Sequence, residues 1–258
     1  MSKIKFKIVV MSGKGGVGKS TVASNLAMAL ALNGFTVGLI DADITGPNIP
    51  KMMGIPPDHL PNVDSDQKKI IPVIGPLNIK IMSMAFLLQD PDTPIIWRGP
   101  LKMGAINQFL NDVEWGNLDF LIVDLPPGTS DETISILQLI KGARAIVVTT
   151  PQDVALMDSR KAITMALKMM DGVLGVIENM SGYVCPHCGK DIDIFGKDGG
   201  KFAANELGVP FLGAIPIDPD IRKDSDKGSP YVVKHNESLA KKAFDNIVKT
   251  IKKELNFD

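Results

Sequence analysis

Apolar runs of five or six residues alternate with longer stretches patterned at helical spacing along most of the chain. The short runs are near-continuous in Val, Ile and Leu, as expected of strands covered on both faces. They predict strands near residues 6–11, 35–40, 79–84, 119–123, 145–149, 173–178 and 211–215. Helical spacing predicts helices over 19–32, 100–113, 130–141, 153–169, 199–207 and 237–255. The first helix should stop at Asn33-Gly34, and Thr129 with Glu132 has the spacing of a capping box. Strand alternating with helix predicts a mostly parallel sheet flanked by helices on both faces. Residues 47–78 are richer in Pro, Asp and Asn and read as a peripheral excursion, with a small hairpin turned at Gly75-Pro76. No repeat or low-complexity linker divides the chain. One α/β domain over residues 1–258 is expected.

Composition narrows the class. Of 258 residues, 45% are hydrophobic and 22% charged, which supplies a buried core. Lys plus Arg (28) nearly cancels Asp plus Glu (29), so the basic excess of a nucleic-acid-binding domain is missing. The basic start Met-Ser-Lys-Ile-Lys-Phe-Lys has no apolar run behind it to make a signal peptide. No stretch nears the roughly 18 apolar residues of a spanning helix, so a cytoplasmic protein is expected. In the last helix Leu239, Ala243, Phe244, Ile247, Val248, Ile251 and Leu255 share one face. That face suits either a membrane surface or the sheet, and core packing is the expectation. Met165, Met169 and Met170 read as core or interface filler. His59 and His235 show no partner spacing.

Residues 13–21 read Gly-Lys-Gly-Gly-Val-Gly-Lys-Ser-Thr between a strand and a helix. This is a phosphate-binding P-loop, whose backbone amides close on phosphate oxygens where a Cβ would obstruct. Gly13, Lys14, Gly15, Gly16, Val17, Gly18, Lys19, Ser20 and Thr21 form the expected nucleotide cradle. Lys19 should reach the phosphates and Ser20 the magnesium shell, at the positive end of the following helix. Asp124 ends an apolar strand and is followed by Leu-Pro-Pro-Gly, the position of a magnesium-holding carboxylate. Asp41 and Asp43 also fall at the ligand end of a strand. One is suited to magnesium and the other to orienting water. The bland alternatives are a glycine-rich turn that binds nothing and aspartates that merely cap turns. Asn179 ends another strand, and its amide both donates and accepts, which suits adenine. No Asn-Lys-x-Asp segment is present to read guanine, so ATP is expected over GTP.

Cys185-Pro186-His187-Cys188-Gly189 supports three readings: a redox pair, a metal knuckle, or free surface thiols. The following Gly-Lys-Asp-Ile-Asp-Ile-Phe-Gly looks extended rather than helical, against a redox pair. Two thiolates fill half of a tetrahedral or cluster shell, and a symmetric dimer would supply four.

The run Lys14-Gly15-Gly16-Val17-Gly18-Lys19-Ser20-Thr21 resembles the deviant Walker A loop of the dimerising ATPases that include nitrogenase iron protein, MinD and ParA. The resemblance implies that Lys14 reaches the partner's nucleotide and that Asp43 positions the hydrolytic water. It makes Asp124 to Gly128 a switch segment and leaves Asp41 for magnesium. Further segments are similar to the Mrp/Nbp35 branch. They are Pro94-Ile95-Ile96-Trp97-Arg98-Gly99-Pro100, Asp124-Leu125-Pro126-Pro127-Gly128-Thr129-Ser130-Asp131, Thr150-Pro151-Gln152-Asp153-Val154-Ala155-Leu156, Glu178-Asn179-Met180-Ser181 and the cysteine pair. That branch implies a slow ATP hydrolase and homodimer whose Cys185 and Cys188 hold a bridging [4Fe–4S] cluster for apo-protein clients. Zinc could occupy the same four-sulfur site. It also implies that Asn179 and the segment around Pro216 flank adenine, and that Trp97 and Arg98 pack at the interface. The alternatives are a MinD/ParA-like positioning ATPase that binds membrane or DNA, a zinc-bridged nucleotide-binding scaffold, and an electron-donating reductase. Neither nucleic acid nor membrane is the expected partner.

Overall fold

The computed structural model describes residues 3–64, 66, 69–88 and 99–257. In chain order the elements are β1 (Ile4–Ser12), α1 (Lys19–Leu32), β2 (Val37–Asp41), α2 (Ile49–Met52), β3 (Asn62–Asp64), β4 (Lys69–Ile71), β5 (Val73–Ile74) and β6 (Lys80–Ser83). They continue as α3 (Gly99–Asn111), β7 (Leu118–Asp124), α4 (Asp131–Leu139), β8 (Ala143–Thr149), α5 (Asp153–Met169), β9 (Val173–Asn179), β10 (Tyr183–Val184) and β11 (Asp191–Ile192). The last are α6 (Gly199–Glu206), β12 (Phe211–Ile215), α7 (Pro219–Asp226), α8 (Tyr231–Lys234) and α9 (Leu239–Glu254). Eight described strands form one sheet in the order β12-β9-β8-β1-β7-β2-β6-β5. All its pairings are parallel except the β5–β6 hairpin, turned at Gly75-Pro76 as expected.

Successive residues of a strand point to opposite faces, and the core divides accordingly. Val9, Met11, Leu121, Val123 and Val147 pack under α3, α4 and α5. Ile8, Val10, Phe120, Ile122 and Ile146 pack under α1, α8 and α9. Helix α1 lies between the sheet and α8/α9, which explains why most of its residues are buried. The apolar face of α9 (Phe244, Ile247, Val248 and Ile251) is buried, and the helix packs on β12 and α1. It runs 239–254 rather than the expected 237–255, because Ser238 caps it by accepting the Lys241 N–H at 3.0 Å. Among the described residues no helix is long and apolar enough to cross a membrane. Met165, Met169 and Met170 are partly buried against the first core.

One expectation needs correction, and one histidine has a partner that sequence spacing did not reveal. Ser130, not Thr129, stands at the N-cap of α4 and makes no side-chain cap bond. Glu132 instead turns toward α3, with Oε2 at 3.5 Å from Lys102 Nζ, so there is no capping box. His235 does have a partner: its Nε2 lies 2.7 Å from Asp224 Oδ2, and its ring stacks on Tyr231 at 4.4 Å.

Parallel register brings chemistry to one edge. Asp41 pairs level with Asp124 and with Ser83, and Val10 lies level with Asp124. Thr149 is level with Glu178, and Asn179 with Ile215. The carboxyl ends of β9, β1, β7 and β2 therefore lie along one rim, where open α/β sheets hold ligands.

Candidate nucleotide site and cysteine knuckle

The loop between β1 and α1 rims a cavity of about 230 Å³ lined by Lys14, Lys19, Ser20, Thr21, Asp43 and Pro127, among others. Two glycines explain its shape. A Cβ on Gly13 would come within 2.2 Å of the Asp158 backbone, so the loop's first residue is pressed against α5. Gly18 sits at φ +80, and a Cβ there would meet the Asn179 amide at 2.2 Å. Asn179 reaches the loop itself, its Nδ2 donating to the Val17 carbonyl at 2.9 Å.

Behind the loop lies a buried polar cluster. Lys19 Nζ is 2.8 Å from Asp124 Oδ1, with side chains 6% and 0% exposed, so this pair is out of solvent. Ser20 Oγ donates to Asp124 Oδ2 at 2.5 Å. Burial pushes the Asp124 carboxyl up, opposed by the Lys19 ammonium and by hydrogen bonds from Lys19 and Ser20. Lys19 thus bonds a protein carboxylate at the place where a phosphate would attract it. Hard oxygens from Ser20 and Asp124, adjacent and directed at one another, are a donor set that suits magnesium.

Asp41 and Asp43 separate in the structure. Asp43 borders the cavity and accepts from Thr45 Oγ1 at 2.8 Å. Asp41 stands behind the cavity lining. Its Oδ2 accepts from Ile49 N–H at 3.1 Å and Ser83 Oγ at 2.9 Å, and its Oδ1 from Asp43 N–H at 3.3 Å. Burial and the nearby Asp124 raise its pKa to about 8. Asp41 thus bonds to β6, to α2 and to the turn that carries Asp43, one strand over from Asp124. Lys14 is half-buried at the cavity's rim and forms no ion pair among the described residues. Pro216 lines a separate cavity of about 470 Å³ with Tyr183, Val184 and Pro186. Trp97 and Arg98 lie outside the described residues.

Cys185 and Cys188 occupy the turn of the β10–β11 hairpin, closed by Cys185 N–H to Lys190 O and Gly189 N–H to Cys185 O, both 2.9 Å. Cys185 is half-buried, Cys188 exposed, and both are free. Backbone N–H groups of His187 and Cys188, with the Cys188 side chain, hold the Cys185 thiol below its ordinary range. Among the described residues no group of three or more His, Cys, Asp or Glu side chains could hold a metal.

A P-loop backed by Lys19, Ser20 and Asp124 and a two-cysteine knuckle on one fold frame the comparisons with known proteins. The family described as NUBPL iron-transfer P-loop NTPase (ParA) matches residues 3–252. The chain belongs to that family. It is 53% identical to an iron-sulfur cluster carrier protein of Methanocaldococcus jannaschii, over 97% of this chain and 85% of the relative. It is 49% identical to a cytosolic Fe-S cluster assembly factor NUBP2 homolog of Dictyostelium discoideum, over 92% and 91%. A nucleotide-binding protein of Archaeoglobus fulgidus, solved with ADP, superposes with TM-score 0.78 at 42% identity, covering 89% of this chain and 88% of that one. The cell-division ATPase MinD of Pyrococcus furiosus follows with TM-score 0.69 at 27% identity, covering 96% and 98%.

The sequence missed Glu178 as more than a motif letter. It is fully buried and accepts three hydrogen bonds at the root of the cysteine hairpin. A charged residue closing an otherwise apolar strand was the available signal.

Proposed function

We propose that this chain is an ATP-hydrolysing carrier that holds an iron–sulfur cluster between two copies of itself and transfers it to apo-proteins. The observation that carries the reading is the half-shell of Cys185 and Cys188 at the tip of a hairpin that leaves the same sheet rim as the P-loop. Thiolates stabilised by turn amides are soft ligands that suit zinc or an iron–sulfur cluster, and a twofold axis completes four sulfurs. Support for pairing comes from Val154 and Met157, which are 68% and 61% exposed on the first turns of α5. They precede Asp158 by one helical turn and by one residue, and the Asp158 backbone abuts Gly13. Lys14, unpaired among the described residues, is free to meet a partner's phosphate. The names of the two relatives and the ADP in the Archaeoglobus structure support cluster cargo and an adenine nucleotide.

On this reading the loop amides and Lys19 bind the triphosphate, and Ser20 and Asp124 hold magnesium, which supplies charge neutralisation when bound. Phosphate arrival releases Lys19 from Asp124. Asp43, at the rim, orients water for in-line attack, and Lys14 of the second copy adds positive charge there. Asn179, beside the loop, and the Pro216 segment, which follows its β12 neighbour Ile215, would flank the base between the two cavities. The cluster is cargo, bound by Cys185 and Cys188 of each copy and passed to client thiolates.

Anaerobic reconstitution with iron and sulfide, followed by absorption spectra and iron counts, tests the reading. About four irons per dimer are expected for a cubane, with loss in Cys185→Ala and in Cys188→Ala. Zinc alone at the knuckle, with no iron uptake, would replace the carrier by a zinc-bridged scaffold. Phosphate release that persists in Asp43→Ala would defeat the assigned hydrolytic role.

A further inference from the structure

Residues 181–198 leave the sheet after β9, form the hairpin that carries both cysteines, and return to α6. Both ends of this arm are fastened to one buried side chain. Glu178 Oε1 accepts from Ser181 Oγ at 2.5 Å on the outgoing side and from Asp198 N–H at 3.0 Å on the return. Glu178 Oε2 accepts from Gly200 N–H, in the first turn of α6, at 2.5 Å. The carboxylate thus lies at the positive end of α6, with backbone and hydroxyl donors and no cation among the described partners. The next residue, Asn179, is tied to the P-loop by its bond to Val17 O. Met180 then takes φ 57, a left-handed turn that directs the chain into the arm.

We propose that Glu178 is a positioning residue that couples the nucleotide site to the cysteine knuckle. A buried carboxylate is costly to leave short of donors, so its three donors move with it as a unit. Strand β9 ends in two adjacent side chains, one gripping the phosphate loop and the other gripping both roots of the cysteine arm. A shift of Val17 when the loop closes on phosphate therefore pulls the β9 end, and Glu178 carries that displacement to the arm. The inference deepens the carrier reading, since it specifies how nucleotide state regulates the site where cargo binds.

The test needs no cluster. Alkylation rates of Cys185 and Cys188 by iodoacetamide are followed by mass spectrometry in the iron-free protein, with and without magnesium and a non-hydrolysable ATP analogue. Wild type should change by about fivefold or more between the two states. Glu178→Gln keeps the size but supplies an amide in place of a carboxylate oxygen. Its ratio should fall to within about twofold of one, while analogue affinity stays within about threefold of wild type. Ser181→Ala removes only the outgoing side-chain bond to Glu178, leaving the backbone bonds of Ser181 to Ile215 and of Gly182 to Ile217, and should give an intermediate ratio. A full wild-type ratio in Glu178→Gln overturns the proposal, including the case where both rates rise together, for then Glu178 is only a fastener. No nucleotide dependence in wild type also overturns it. If Glu178→Gln does not fold, Ser181→Ala decides: a reduced ratio supports the coupling and an unchanged one sinks it. Iron counts on the same variants are read separately, so failure of the carrier reading and failure of the coupling give different results.

Discussion

Lys19 and Asp124 carry a consequence for any experiment on single residues. Lysine-to-alanine in a P-loop is the usual way to remove nucleotide binding, but here it also strands Asp124, fully buried, without its cation. Lys19→Ala should lower the unfolding free energy of the nucleotide-free protein by about 3–5 kcal/mol. Asp43→Ala, which loses its bonds to Thr45, should cost only about 1 kcal/mol. Urea denaturation of the two variants checks this, and similar midpoints would contradict the pairing. Asp41 gives a second residue-scale test. Its folded pKa of about 8 lies above the model-peptide value of 3.8, so between those limits the folded state holds a proton that the unfolded chain has released. Stability from this group is fully present below about pH 4, falls as pH rises toward 8, and is lost above it. Asp41→Asn removes the titration, so its denaturation midpoint should change less than wild type between pH 5 and pH 8, in chelator without nucleotide. At this scale the sequence identified residue types well and their directions poorly. The Asp-Ala-Asp spacing marks two carboxylates near a strand end, but only the tertiary positions of Ser83 and Ile49 fix which hydrogen bonds Asp41 accepts.

Elements were legible in proportion to how much apolar pattern they carry. Helix α9 announces itself by a continuous apolar face, and the structure buries that face on β12 and α1. Phe244→Ala should therefore destabilise the fold by about 3–5 kcal/mol in urea titration. The wild-type protein should not co-sediment with anionic liposomes, nucleotide present or absent; ATP-driven co-sedimentation would point to a helix that leaves the sheet. Helix α7, by contrast, was invisible to periodicity because Ile221 is its only large apolar residue. It forms because Asp218 caps it by accepting the Asp220 N–H at 2.9 Å, and because Lys223 and Arg222 pair with Asp220 and Asp226. Such local bonds leave little trace in a hydrophobicity pattern. The P-loop's dependence on α5 was hidden for a similar reason: Gly13 looks like a phosphate-binding glycine, yet its missing Cβ makes room for the Asp158 backbone. Gly13→Ala should weaken ATP analogue binding by about tenfold or more through displacement of the loop, read by equilibrium titration.

For the whole molecule, the open question of the sequence was which surface meets a second copy. The two cysteines argue for a partner by being too few, and neither composition nor spacing says where the axis lies. The fold supplies a direction: the exposed Val154 and Met157 sit beside the P-loop edge. A net formal charge of −1 offers little repulsion between two copies. Two separate attachments would then hold the dimer, cargo at the knuckle and nucleotide at the P-loop, and they can be removed one at a time. Reconstituted wild-type protein without nucleotide should sediment as a dimer, and stripping iron with a chelator should return it to monomer. Cys185→Ala should remain monomeric without nucleotide yet dimerise when the ATP analogue is added, since its P-loop and Lys14 are intact. A Cys185→Ala variant that sediments as a dimer at micromolar concentration without nucleotide would show that another surface, such as that around Val154 and Met157, suffices to hold the copies together. Chelator would then leave the wild-type dimer intact, and cargo would not be one of its two attachments.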